Sequence, residues 1–456
     1  MGSVTVGLDI GTTSVKALAV TDDGEVAAAT RCPHELLLGP GQLAHDADAA
    51  WRHGVLDALT EVGRGLDVQA VAVAAMVPSL TAVDAAGRPT TLGLLYGDSR
   101  GGSGIGSPAE SGEAAGFHRW LAAEQPDARG FWPAQAVANH ALCGLGAIDT
   151  ATAMTAYPLF DGVGWDARLA AEAGASPDQL PALVRGTEAV GRVGDGLPAA
   201  GALVGGGTID ALAEQLVAGA DEPGDVLVLC GTTLITWGVL PEVAEAPGLW
   251  TIPHTAAGLW LAGGPSNAGG LFLEAARRWL SLAAAAGVDA IAPQDLPVWL
   301  PYVRGERTPL HRRDLRASVD GLGLHHGPAH LLRAAYEASG FVVRHHVDLA
   351  RDAGLAPRRI VATGGGTQVP AWMHALADTT DLPVHVAAVP EGAALGSAFI
   401  ARCVAGEESA MTDARRWART AEVVDPDPRW SAHAAERYER FRARTAAAAS
   451  HAERSS

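Results

Sequence analysis

Residues 4–20 read VTVGLDIGTTSVKALAV, two apolar runs separated by a short polar turn. The first run extends from Val4 to Ile10 and the second from Val15 to Val20. Apolar runs of this length, bounded by glycine and small polar residues, are typical of buried strands. Asp22-Asp23-Gly24 then predicts a tight turn into a third strand. The start of the chain is therefore predicted to be an antiparallel meander.

The same plan returns in the second half of the chain. Asp225 to Cys230 predicts a strand, Gly231-Thr232-Thr233 a turn, and Leu234 to Val239 another strand. A composition break lies near Gly194 to Gly201, and 456 residues are enough for two buried cores. We therefore predict an α/β protein with two domains, residues 1–200 and 201–456, built on one plan.

The net charge and the hydrophobic pattern of the sequence limit the kinds of binding partner that we expect. The formal net charge is −18, and a surface of this sign repels nucleic-acid phosphates, so no nucleic-acid partner is predicted. No basic leader precedes the first strand, and no unbroken apolar stretch approaches the length of a membrane span. We expect a cytoplasmic protein without a membrane segment.

The turn Gly11-Thr12-Thr13-Ser14 has chemistry that suits a phosphate group. Glycine lets backbone N–H groups approach an anion, and the hydroxyls add donors. Asp9 could hold Mg²⁺ through water as a hard oxygen ligand, and Lys16 lies two residues beyond the turn. An ordinary hairpin explains the same residues equally well. The turn matches neither a P-loop nor the glycine fingerprint of dinucleotide-binding folds.

Two glycine runs precede predicted helices. Gly205-Gly206-Gly207 leads through Thr208 and Ile209 to Asp210, which is either a helix N-cap or a general base. Spacing alone favours the cap. Gly364-Gly365-Gly366-Thr367 could let an adenine or ribose lie against backbone, although linkers share this composition.

Paired histidines occur at His325-His326 and His345-His346. No cysteine or acidic cluster accompanies them in the sequence, so we interpret them as surface or capping residues rather than metal ligands.

Taken together, these segments resemble the FGGY family of carbohydrate kinases, in order and over nearly the whole chain. The most specific match is Pro301 to Pro309, PYVRGERTP, which is close to the family signature PYLxGERxP. The other segments similar to family motifs are residues 6–14 (VGLDIGTTS), 84–89 (DAAGRP), 95–100 (LYGDSR), 207–210 (GTID), 230–233 (CGTT), 364–378 and 391–398 (EGAALGSA).

The resemblance implies two ribonuclease-H-like (actin-type) domains with ATP and a small sugar or polyol in a central cleft. It implies that Asp210 is the catalytic base and that Mg²⁺ lies near Asp9. The residues implied to contact the sugar are Met76, Ser79, Asp98 and Arg100, together with Asp210. Those implied to contact ATP are Gly11, Thr12, Thr13, Ser14, Lys16, Gly231, Thr232, Thr233, Gly269, Gly364, Gly365, Gly366 and Thr367.

Three departures from the family pattern lie on the sugar side. Tyr96 stands where the family usually has Trp, the basic residue that often precedes the middle helix is absent around Pro133 to Cys143, and Gly101 to Pro108 replaces a longer segment. They leave the substrate open: a pentulose such as xylulose is the first hypothesis and a polyol the second. A homodimer is compatible with the resemblance. The alternatives are an ATPase of the actin or heat-shock chaperone type, and a non-catalytic ATP- or sugar-binding regulator that kept the fold.

Overall fold

The computed structural model describes residues 2–102, 113–255, 258–280 and 291–453. Most of the segment from Gly101 to Pro108 lies outside the described residues. The chain forms two compact units: Met1–Val217 with Glu391–Trp417, and Ala218–Pro390 with Ala418–Ser456.

These units differ from the predicted domains 1–200 and 201–456, because the chain returns to the first unit near its end. The helix Gly392–Val404 packs directly on the strand Val4–Ile10. A Cβ on Gly7 would lie 1.8 Å from the carbonyl oxygen of Ala394, so only glycine permits this approach.

The first unit is built on a mixed sheet. Its strands, in spatial order, are Ala189–Arg192, Leu203–Gly205, Val68–Ala75, Val4–Ile10, Ser14–Val20 and Val26–Pro33, and Thr208–Ile209 also pairs with Val68–Ala75. The predicted meander is confirmed, because the last three strands pair antiparallel in sequence order.

A smaller sheet and several helices complete the first unit. The smaller sheet has the spatial order Leu37–Gly39, Gln42–His45, Gly93–Leu95, Ser79–Val83 and Gly130–Trp132, and a further pair joins Ala147–Asp149 to Ala182–Val184. The helices are Asp48–His53 (π), Gly54–Val62, Ser99–Gly101 (3-10), Glu113–Glu124, Ala134–Cys143, Thr150–Met154, Ala167–Glu172, Pro177–Gln179 (3-10), Asp210–Ala218, Gly392–Val404 and Met411–Trp417 (3-10).

The second unit repeats the central motif of the first. Asp225–Cys230 pairs antiparallel with Leu234–Leu240 and parallel with Arg359–Thr363, as Val4–Ile10 pairs with its own two neighbours. Its sheet has the spatial order Trp250–Pro253, Trp260–Ser266, Leu234–Leu240, Asp225–Cys230, Arg359–Thr363, Val384–Ala387 and Thr420–Val424, and a further pair is Val298–Leu300 with Ser318–Asp320. Its helices are Gly270–Leu280, Pro328–Asp352, Gly365–Gln368 (3-10), Pro370–Thr380 and Pro428–Glu453.

The final helix, Pro428–Glu453, contributes to the core of the second unit. Tyr438 and Phe441 are buried in the core of the second unit. Arg437 forms a buried ion pair with Glu337, with 2.7 Å between Nε and Oε2. No helix of the described part of the chain combines the length and apolar character needed to cross a bilayer.

Candidate active site

Parallel pairing brings three predicted site segments to one edge of the first-unit sheet. Ala75 pairs with Ile10 on one side and with Ile209 on the other. The carboxyl ends of adjacent parallel strands meet at one edge, which is where ligands bind in open α/β sheets. The next residue of each strand leaves the sheet at this edge, and these residues are Gly11, Met76 and Asp210.

Asp210 is the first residue of its helix and is partly buried. Its Oδ1 accepts a hydrogen bond of 2.7 Å from the N–H of Ala211. Burial, and after it the negative charge of Asp9, raise the pKa of Asp210 to about 6, although the charge of Lys16 acts in the opposite direction. A carboxyl group with a pKa near 6 is deprotonated at neutral pH and still accepts a proton readily, which suits a general base.

Lys16 lies directly across the hairpin from Asp9. Its Nζ is 3.3 Å from Asp9 Oδ2, so the two side chains share one face of the sheet. The charge of Asp9 raises the pKa of Lys16 more than burial lowers it, and Glu214 and Glu391 act in the same direction as Asp9. The ammonium group is therefore held in its charged form close to the predicted base.

Some polar groups of the turn Gly11–Ser14 form hydrogen bonds within the protein. Gly11 N–H donates to the Ser14 carbonyl oxygen at 3.0 Å, and Arg31 Nε donates to Ser14 Oγ at 3.0 Å. Thr12 Oγ1 is 3.4 Å from the hydroxyl of Tyr96. Thr12 and Ser14 are buried, whereas Thr13 is exposed. Thr13 and the backbone of the turn are thus the groups of this segment best placed to meet a ligand.

Two buried side chains that we did not predict, His45 and Trp51, hold this turn through hydrogen bonds, and we call this pair the brace. His45 is fully buried, and its Nδ1 accepts a hydrogen bond of 3.0 Å from Trp51 Nε1. The other ring nitrogen, Nε2, must then carry the proton, and it donates to the Thr12 carbonyl oxygen at 2.8 Å. Burial, followed by the charge of His34, lowers the pKa of His45 to about 4, so the ring is neutral.

The sugar-side residues fall into two groups. Met76 is buried just after the strand Val68–Ala75, and Ser79 is buried at the start of the strand Ser79–Val83, where its Oγ accepts from the N–H of Ala134 at 3.1 Å. Asp98 is fully buried, and its carboxylate accepts from the N–H of Leu43 at 2.8 Å and from the guanidinium of Arg100 at 2.7 and 2.8 Å. This geometry favours a role for Asp98 in orienting Arg100.

Gln135 is a second residue that sequence reasoning missed. Its Nε2 donates to the carbonyl oxygens of Ala75 at 3.2 Å and Thr208 at 3.1 Å. It therefore ties together the strand ends that precede Met76 and Asp210. It belongs to no motif, and the one signal in the sequence is a polar residue among the small apolar residues of a buried helix.

In the second unit, the turn Gly231–Thr233 packs against the start of the helix Gly270–Leu280. Gly270 N–H donates to the Gly231 carbonyl oxygen at 2.8 Å, and Leu271 N–H donates to that of Thr232 at 3.1 Å. A Cβ on Gly269 would lie 2.5 Å from the backbone nitrogen of Leu234. Glycine at 269 is thus required for the turn to keep its position.

Glu306, the acidic residue of the GERTP segment, has a structural role in the second unit. The buried carboxylate accepts from Ser266 Oγ at 2.8 Å and from the N–H groups of Asn267 at 2.9 Å and Arg307 at 2.7 Å. Burial raises its pKa to about 7 despite these bonds. Glu306 therefore fixes the segment that leads into Gly269.

The glycine run Gly364–Gly366 packs against the end of the strand Asp225–Cys230. Cβ atoms on Gly364 and Gly366 would lie 3.0 and 2.6 Å from the Cys230 carbonyl oxygen, whereas one on Gly365 would meet nothing within 4 Å. Thr367 Oγ1 donates to the Gly364 carbonyl oxygen at 2.8 Å. Gly365 thus faces open space, as a residue that contacts a flat ligand must.

Asp295 joins a histidine cluster in the second unit that the sequence could not reveal. Its Oδ1 lies 2.7 Å from His325 Nε2 and 3.3 Å from His326 Nε2, and its Oδ2 lies 3.7 Å from His330 Nε2. However, His326 Nδ1 accepts from the N–H of Gly323 at 2.8 Å. Its proton is therefore on Nε2, whereas a histidine that ligates a metal through Nε2 normally donates from its other nitrogen. The tautomer favours hydrogen bonding to Asp295 over metal ligation.

Known proteins with sequences similar to this chain are carbohydrate kinases. The model of the FGGY family of carbohydrate kinases, C-terminal domain, matches residues 226–405. A xylulose kinase of Streptomyces coelicolor is 29% identical over 91% of both chains, and one of Streptomyces rubiginosus is 28% identical over 93% of this chain and 92% of its own.

A solved structure shows the same similarity in three dimensions. The crystal structure of xylulose kinase from Rhodospirillum rubrum has a TM-score of 0.77 and 28% identity, covering 97% of this chain and 98% of its own. Residues 226–405 thus match the C-terminal domain of the FGGY family of carbohydrate kinases, and the similarity to xylulose kinases extends over nearly the whole chain, which supports a carbohydrate kinase with the two-domain actin-like fold.

Proposed function

We propose that the protein transfers a phosphoryl group from ATP to a hydroxyl of a small sugar or polyol, with Asp210 as the general base. The observation that carries this proposal is the strand register, which brings Asp210 to the same sheet edge as Gly11 and Met76. Two neighbouring strands are about 4.8 Å apart, so the backbones of Gly11 and Asp210 are separated by about 10 Å, with Met76 between them.

Asp210 accepts the proton of the attacking hydroxyl as the new oxygen–phosphorus bond forms. Its pKa of about 6 leaves it deprotonated at neutral pH. Phosphoryl transfer depends mainly on positioning and on stabilising charge, so one base and a set of fixed donors are sufficient. Lys16 supplies positive charge close to Asp9 and Asp210 and offsets the repulsion between the two carboxylates.

The described residues fit a nucleotide with Mg²⁺. In the first unit, Lys16 Nζ donates a hydrogen bond to Asp9 Oδ2. Asp9 Oδ1 makes no hydrogen bond to any residue that the structure describes, so this oxygen is suited to bind a hydrated cation. Mg²⁺ would neutralise charge on the phosphates. In the second unit, the turn Gly231–Thr233 and the glycine run through Gly365 are proposed to bind nucleotide.

Xylulose is the substrate that we propose first, because the two Streptomyces relatives are named xylulose kinases and match nearly the whole chain. A polyol is the second candidate. ADP release with Mg·ATP, measured across ketoses, aldoses, polyols and sugar acids, tests the proposal. We expect at least one compound to raise ADP release, and only in a protein with intact Asp210. ATP binding without sugar-dependent ADP release would favour the non-catalytic regulator instead.

A further inference from the structure

Arg31 is a cationic side chain beside the turn Gly11–Ser14 that the proposed mechanism does not use. It lies on the strand Val26–Pro33, is exposed, and donates a hydrogen bond of 3.0 Å from Nε to Ser14 Oγ. Neither of its Nη nitrogens forms a hydrogen bond or an ion pair with any residue that the structure describes. These two groups are therefore available to a ligand that binds at the turn.

Arg31 belongs to a row of charged side chains that crosses three strands of the sheet. Lys16 is the cross-strand partner of Asp9 on one side and of Arg31 on the other. Directly opposite residues project from the same face of a sheet, with Cβ atoms about 4.5–5.5 Å apart, and like charges in such a pair are destabilising. Lys16 is paired with Asp9, whereas Arg31 has no carboxylate partner among the described residues. An anion bound at both cations would relieve their repulsion.

The surroundings of Lys16 carry more negative than positive charge. The carboxylates that interact electrostatically with Lys16 are those of Asp9, Asp210, Glu214 and Glu391. Because Mg·ATP is itself an anion, this surplus of negative charge opposes its binding. A second fixed cation beside the turn reduces that opposition, and Arg31 is placed to supply it.

We propose that Arg31 binds the phosphate chain of ATP at the turn Gly11–Ser14, together with Lys16. Its Nε remains bonded to Ser14 Oγ, and its Nη groups donate to phosphate oxygens. A guanidinium group suits this role, because its donors form a rigid fork that matches phosphate geometry and its charge is permanent. The inference rests on the proposed function and adds a nucleotide-binding residue from a strand outside the segments that resemble family motifs.

The test is calorimetric titration of Mg·ATP into the full chain without sugar, at about 50 mM and about 500 mM NaCl. Arg31→Ala should weaken ATP binding about tenfold or more at the lower salt concentration, the scale of a charge-assisted hydrogen bond. The difference between parent and variant should shrink at the higher salt concentration, because salt screens an exposed charge. Arg31→Lys keeps the charge without the fork and should recover part of the affinity.

Arg64→Ala is the matched control. Arg64 is also exposed, and it lies in the turn before the strand Val68–Ala75, at the opposite edge of the same sheet. Its removal changes the net charge of the protein by the same amount as Arg31→Ala. The affinity for Mg·ATP should therefore stay within about twofold of the parent value at both salt concentrations.

An unchanged affinity for Mg·ATP in Arg31→Ala would overturn the inference. A loss of equal size at both salt concentrations would also overturn it, because it would indicate a distorted turn instead of a lost contact with phosphate. Since the titration contains no sugar, its outcome is separate from that of the proposed function. Weaker ATP binding in Arg31→Ala would support the contact even if no sugar drives ADP release by the parent protein. A parent protein that binds no Mg·ATP would overturn both.

Discussion

Replacing Asp210 with Asn should abolish turnover and stabilise the protein at neutral pH. The pKa of Asp210 is raised from 3.8 to about 6, a difference of about 2 units, and each unit corresponds to about 1.4 kcal/mol. Asn keeps the shape of the side chain and removes its charge. The variant should therefore gain up to about 3 kcal/mol above pH 6, because the wild-type carboxylate is ionised there in an environment that disfavours its charge.

The sign of the pH dependence follows from proton binding. The folded protein binds the Asp210 proton more tightly than the unfolded chain does, so wild-type stability falls as the pH rises from about 4 to about 6. The advantage of Asp210→Asn should disappear below about pH 4. For a unit of this size, 3 kcal/mol corresponds to a rise of roughly 6–12 °C in Tm.

The assay is thermal unfolding at pH 7.5 and pH 4, together with sugar-dependent ADP release at pH 7.5. Asp149→Asn is the matched control, since burial also raises the pKa of Asp149 to about 6 and its Oδ1 accepts a hydrogen bond from Thr152 N–H at 2.8 Å, as a helix cap. Asn can serve as the same cap, so this variant should gain stability and keep its turnover. A loss of turnover of about 100-fold or more is expected for Asp210→Asn. Near-normal turnover with Asn at 210 would refute the assignment of the base.

Three further predictions concern the remaining parts of the proposed site. Below pH 6, kcat/KM should fall about tenfold per pH unit as Asp210 becomes protonated, and a flat profile down to pH 5 would contradict this. Trp51→Phe removes the N–H that orients His45, so KM for ATP should rise several-fold with little change in KM for the sugar. An unchanged KM for ATP would show that the turn is fixed without the hydrogen bonds of His45 and Trp51. Gly269→Ala places a Cβ 2.5 Å from the Leu234 nitrogen, so ATP affinity measured by calorimetry should fall at least tenfold, whereas Gly327→Ala, with nothing within 4 Å, should leave it unchanged.

The fold was predictable where apolar runs end at glycine turns. The hairpin Val4–Val20 and its repeat in the second half are examples, because buried strands need continuous apolar residues and tight turns need glycine. The domain boundary was less predictable. The helix Gly392–Val404 returns to the first unit through close packing on Gly7, which no local pattern encodes. The buried face of the final helix is hard to recognise in the sequence, because Tyr438 and Phe441 stand among many arginine and glutamate residues.

The residues of the candidate site also differ in how far the sequence predicts their positions. Asp9 and Gly11 stand at the end of a strand that the sequence predicts, and Asp210 stands at the start of a predicted helix. The parallel pairing that brings these segments to one sheet edge is seen only in the structure. His45 and Gln135 could not be anticipated, because they act through hydrogen bonds to backbone carbonyl groups 33 to 73 positions away in sequence. Such contacts depend on the tertiary fold and leave no motif behind.

The most direct test of sugar phosphorylation with Asp210 as the base is ADP formation by the purified full chain with Mg·ATP and xylulose, with Asp210→Asn and a metal chelator in parallel. We expect ADP release that requires the sugar or a close analogue, and that is lost both in the variant and in the chelator. ADP release that is independent of any sugar, or that persists in Asp210→Asn, would contradict it.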